Sequence, residues 1–136
     1  VAFDPYGDLT DVWKAIVADV EVQSLMGWSA ADAKAHVVKR RDPGALAENV
    51  KRITVFKPPS RRSRNVDMPE QLVEIDVYVP LAQSHVAQQA IGRVHALLHK
   101  RDVGQMRLIF DAHLPDMPTA SGFYCEAVRF KHHNVI

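Results

Sequence analysis

His95 and His99 stand four residues apart, the spacing that places two imidazoles on one helix face and that zinc-binding helices use. A metalloprotease helix would carry a glutamate directly after the first histidine. Ala96 is there instead, and neither histidine has a cysteine or carboxylate at ligand spacing. The pair reads as two imidazoles on a solvated or subunit-facing helix side, and His132 with His133 as a solvated end rather than a ligand pair. Glu74 and Asp76 lie two apart, which puts both carboxylates on one strand face, as paired acids are in some active sites and metal clusters. The simpler reading is an outward face that needs solubility or a basic neighbour. Cys125 would need an activating histidine held close by the fold to act as a nucleophile. Between Tyr124 and Glu126 in a strand, it reads as a small buried apolar residue. The six glycines are scattered and make no phosphate loop. No residue is assigned as catalytic, cofactor-binding or metal-ligating, and nothing in these residues commits the chain to catalysis.

Two elements must position these groups. In Leu72 to Val79, Val73, Ile75, Val77 and Val79 fall on one face while Glu74, Asp76 and Tyr78 fall on the other, the pattern of a half-buried strand whose second face stays wet or meets a partner. Pro80 ends that ladder. From Ala82 to Lys100, Val86, Ala87, Ala90, Ile91, Val94, Leu97 and Leu98 form one apolar stripe, which predicts a long helix lying flat on the sheet.

The rest of the chain completes that layer. Asp8 stands before Leu9, Val12, Trp13, Ile16, Val17 and Val20 and predicts an N-capped helix from Leu9 to about Val20. A helical turn over Glu21 to Met26, ended by Gly27, follows. Ser29 is placed to cap Ala30 to His36, Val37 and Val38 have strand character, and Asp42-Pro43-Gly44 signals a turn. Ile53 to Phe56 reads as a short strand, Met106 to Asp111 as a third and Phe123 to Phe130 as a fourth, with Pro115, Pro118 and Gly122 marking the turn between the last two. The expected fold is α+β: a mixed, mostly antiparallel sheet of about four strands with helices packed mainly on one face, in a single domain over residues 1–136.

Between Phe56 and Leu72 runs an extended loop, at about 57–69, that is polar, basic and without periodicity. A hairpin needs only about two to five residues, so the length is that of a functional or partner-ordered arm or of an ordinary surface loop, and both readings stand. Lys57, Arg61, Arg62 and Arg64 are its candidate contact residues, and Asp8, Asp11 and Asp19 the candidate acidic complement on a partner. The arm has arginines that can pair with phosphates but no interleaved aromatics for base stacking, and an acidic protein surface explains it equally well.

With 136 residues, 47% hydrophobic and 24% charged, the chain can bury a core. Its net charge of +1 argues against general attraction to nucleic acid or membranes. No apolar run approaches the roughly 20 residues of a membrane span, the N-terminus lacks the order of a signal peptide, and a lone cysteine suits a reducing compartment, so a cytoplasmic protein is expected.

Glu74 to Pro80, Ile91-Gly92-Arg93-Val94-His95-Ala96-Leu97-Leu98-His99, Leu108-Ile109-Phe110 and Gly122-Phe123-Tyr124 leading to Val128-Arg129-Phe130 resemble, in their order, the tail-completion or tail-terminator proteins of long-tailed bacteriophages. The match covers about the C-terminal two thirds and is one of hydrophobic pattern. The resemblance implies a non-enzymatic virion protein without cofactor: a small α+β subunit that closes into a hexameric ring at the head-proximal end of the tail tube and joins it to the head connector. Its partners would be copies of itself, the tail tube protein and the connector or stopper protein, with no membrane and with genome DNA meeting it at most through the ring lumen. It would be assembled in the host cytoplasm and reside in the tail or neck. The alternatives are another neck or connector adaptor and a small metal-dependent or acid-base enzyme using His95, His99 or Glu74 with Asp76.

Overall fold

Leu9, Val12 and Ile16 recur along one side of the first helix, α1 (Gly7–Ala18), and are 2% exposed or less. The computed structural model describes residues 7–44, 46, 50–58, 71–104 and 106–134, with side chains for these except 7, 8, 133 and 134. Helix α1 begins before Asp8 and stops short of Val20, where the sequence predicted one continuous element. The reason for the early stop is Asp19. Its backbone is extended (φ −77°, ψ 116°), and its carboxylate accepts the Val22 N–H at 3.0 Å, so it ends α1 by capping α2 (Val20–Met26). Gly27, at φ 69°, closes α2 as predicted.

Ser29 caps α3 (Ala30–His36) in a reciprocal box with Asp32, and α3 runs straight into β1 (Val37–Val38). Trp13 ties α1 to this edge by donating its indole N–H to the Val37 carbonyl at 2.6 Å. Strands β2 (Arg52–Phe56) and β3 (Leu72–Pro80) then pair antiparallel, and a 3-10 turn over Leu81–Gln83 leads from Pro80 into α4 (Ser84–Leu98). After α4 come β4 (Arg101–Val103), β5 (Met106–Met117) and β6 (Phe123–Asn134).

The sheet has six strands in the order β1-β2-β3-β6-β5-β4, with β1 parallel to β2 and every other pair antiparallel. The two strands beyond the expected four are edge pieces of two and three residues, too short to carry a period. β3 and β5 run in the same direction but do not pair, because β6 lies between them and is antiparallel to both. Strand β5 also outruns its predicted end. It continues through Pro115 with register shifts at Phe110/Ala112 and Leu114/Met117, and β4 pairs with it only as far as Leu108. A proline beyond that pairing, in a bulged stretch, forfeits no ladder hydrogen bond.

The helices share one face of the sheet. Val73, Ile75, Val77 and Val79 enter one buried cluster with Ala87, Ala90, Ile91, Val94 and Leu98 of α4 and with the buried side chains of α1, α2 and α3. The opposite face of β3 departs from expectation: Glu74, Asp76 and Tyr78 are 3%, 5% and 8% exposed. Register explains much of this. Thr54 and Ala127 flank Asp76, Phe56 and Arg129 flank Glu74, and Arg52 and Cys125 flank Tyr78, so the acids sit inside a wide sheet rather than at an edge.

Candidate functional site

The buried acids of β3 form a closed polar cluster. Arg129 on β6 donates to one oxygen of Glu74 at 3.1 Å through Nε and at 2.6 Å through its terminal nitrogen, neutralising that carboxylate where it lies. Among the described residues no cation is hydrogen-bonded to Asp76, and the charge of Arg129 is only a minor, opposing influence on it. Burial above all, then the hydrogen bond to Glu74 and its charge, push the Asp76 carboxyl up from 3.8 to about 8, so it holds a proton at neutral pH. Burial likewise raises the Tyr78 hydroxyl, and with Asp76 beside it the Cys125 thiol is pushed up to about 12. A 1%-exposed thiol that keeps its proton is a packing residue, as the sequence suggested. The chemistry open to this cluster is to hold a proton, since Glu74 and Asp76 are shut off from solvent.

His95 on α4 and His99, which caps the helix with an extended backbone, do come together, with ring centroids 4.9 Å apart and planes 23° from parallel. The Nδ1 atom of His99 accepts the Phe110 N–H at 2.9 Å, which occupies the lone pair a metal would need there. Burial, then the nearby His95 and Lys100, lower the pKa of His99. His95 also meets Phe110 edge to face at 5.1 Å. The two imidazoles thus help build an aromatic wall between α4 and β5.

That wall borders a cleft of about 470 Å³ lined by Ile91 and His95 of α4, Phe110 and His113 of β5, and Tyr124 and Glu126 of β6. At its base Glu126, 3% exposed, accepts the Tyr124 hydroxyl at 2.6 Å, and its other oxygen lies 3.0 Å from His113 Nε2. Burial, then the bond to Glu126, raises the Tyr124 pKa. Sequence reasoning passed over these three residues. The signal was Glu126 itself, a carboxylate in phase with Tyr124, Val128 and Phe130 on the face that packs against the helices.

The predicted contact residues fare unevenly. Lys57 is half-buried just past β2, while Arg61, Arg62 and Arg64 lie outside the described residues. Asp8 lies within α1, and its side chain is also outside the description. Asp11 sits against Gly104 so closely that a Cβ there would collide with its carboxylate. Asp19 is held by Arg93 of α4 at 2.8 and 3.0 Å, which together with the Val22 N–H lowers its pKa against the opposing effect of burial. Among the described residues, no three His, Cys, Asp or Glu side chains are grouped to hold a metal ion, and no helix is long and apolar enough to cross a membrane.

No family model and no curated protein matches this chain. Its fold is similar to that of a chain in the virion of the native gene transfer agent particle, with a TM-score of 0.57 and 18% identity over 89% of each chain. At that identity the likeness is one of fold.

Proposed function

We propose that this chain is a structural subunit of a phage-type virion, and within it a tail-completion or tail-terminator protein that closes into a ring, of six copies, at the head-proximal end of the tail tube and joins the tail to the head connector. The observation that carries the reading is the fold likeness to a chain of a gene transfer agent virion across nearly the whole length. The resemblance of the strand and helix phrases to tail-completion proteins supplies the finer role. No catalytic step enters this reading: the paired acids are buried, the thiol keeps its proton, and one His99 nitrogen is already engaged.

In the ring, the basic segment from Lys57 through Arg64 meets the acidic N-terminal region of the adjacent copy, where Asp8, Asp11 and Asp19 are concentrated. Asp19 is already bound by Arg93, so an incoming arginine would share its carboxylate, while Asp8 and Asp11 start the same helix. The purified protein, alone and mixed with tails that lack it, should give a ring by native mass measurement and by electron microscopy, seated at one end of the tube. A protein that stays monomeric at every concentration and never associates with tails overturns the assignment. A ring bound to connectors but never to tails would make it a neck adaptor instead.

A further inference from the structure

We propose that the cleft between α4 and the β5–β6 hairpin is a receptor for an arginine side chain of a partner protein, with Glu126 as its anchor. The first argument is charge. Among the described residues, three other carboxylates with little-exposed side chains lie against a cation: Glu74 on Arg129, Asp19 on Arg93, and Asp111 3.8 Å from Lys131. Glu126 has a phenol and an imidazole whose side chain is 48% exposed, while its own side chain is 4% exposed. A carboxylate offers about four acceptor directions, and these contacts take one on each oxygen. A buried carboxylate without an obligate cation is costly, and a cation delivered from outside removes that cost.

The second argument is the walls. Ile91 and Val128 present apolar surface for an aliphatic stem, and His95, Phe110 and Tyr124 present rings beside the path to Glu126. An arginine matches both parts: its stem packs on apolar groups while the planar guanidinium stacks on rings and forks onto a carboxylate. The third argument is room. The cleft falls within the roughly 300–1,000 Å³ of binding pockets, and Gly92 of α4 faces it with nothing within 4 Å of where a Cβ would stand. Glycine inside a helix is less favourable than alanine, so the open space at Gly92 comes against helix propensity. A protein rather than a free cation as the source rests on the assembly reading above, and Phe110, 38% exposed at the cleft, gives the rim an apolar contact.

The test uses N-acetyl-arginine amide, with the neutral isostere N-acetyl-citrulline amide as control, titrated into the isotope-labelled protein. Arginine amide should shift the amide signals of Gly92, His113 and Glu126 and bind at least about tenfold more tightly than citrulline amide. Glu126→Gln, which keeps an acceptor for Tyr124, and Gly92→Leu, which fills the space and favours the helix, should each abolish the shifts while leaving the melting temperature equal or higher. Equal binding of citrulline amide, or shifts that survive Glu126→Gln, overturns the site. Tails completed at undiminished yield by both variants overturn the partner. If the wild-type protein completes no tails, the assembly reading fails, and the arginine-amide titration still decides the site.

Discussion

Asp19 and Arg93 are 74 residues apart in sequence and meet in a two-point ion pair in which the same carboxylate also caps α2. The contact binds the N-terminal helices to the exposed side of α4, next to the glycine of the cleft. Asp19→Ala loses both roles and should cost about 1–2 kcal/mol for the cap alone. Asp19→Asn keeps the cap and should cost less, the remainder reading out a partly solvated pair that salt screens. Urea denaturation of both variants at low and high salt checks this. Because the pair lowers the Asp19 pKa, its contribution is full above about pH 4 and is lost as pH falls below the folded-state value.

Asp76 titrates in the opposite sense. Its folded pKa of about 8 lies above the ordinary 3.8, so between those values the native state holds a proton that the unfolded chain has released. Stability from this group is complete below about pH 4 and drains away as pH rises towards 8. Asp76→Asn should flatten that slope and raise stability at pH 8 relative to wild type by more than about 1 kcal/mol. Denaturation midpoints at pH 5 and pH 8 decide it, and an unchanged slope refutes the protonated aspartate.

Leu98 is fully buried, whereas its neighbour Leu97 only packs against the margin of the core. Leu98→Ala should cost about 2–5 kcal/mol and Leu97→Ala distinctly less. Equal costs would mean that α4 is rotated from the placement described.

Much of this arrangement was legible in the sequence because period and punctuation agree. Val73 to Val79 and Ala87 to Leu98 announce the strand and the helix packed on it, and Gly27, Ser29 and Pro80 mark boundaries that the structure keeps. What escaped was long-range. The alternation in β3 cannot say that Glu74 is buried on its own face beside Arg129, 55 residues on, nor that Asp76 loses its charge next to it. Nor does Pro115 look like a strand residue until the bulges of β5 are seen. His113, Tyr124 and Glu126 are ordinary strand residues one by one, and only the β5–β6 pairing makes a site of them.

The arginines of the 57–69 segment carry the assembly prediction. Replacing Arg61, Arg62 and Arg64 together by Ser should leave the melting temperature within a few degrees, yet reduce ring or tail yield and weaken the salt dependence of what remains. Thermal melts and assembly yields across a salt series measure both. Unchanged yield and unchanged salt response would leave the segment an ordinary loop.

The position of β6 has a kinetic consequence. β6 follows both β3 and β5 in chain order, yet it supplies the rung between them, so until it docks the sheet exists as two halves whose facing edges both lack partners. A nascent chain that has made α4 and β5 therefore still carries two adhesive borders, and its slowest contacts are those that close last. The same gap has the hydrogen-bonding pattern to accept β6 from another molecule wherever local concentration rivals that of the chain's own tethered strand. Strand exchange between growing chains, rather than loss of helix packing, is the failure this topology invites when many copies are made at once.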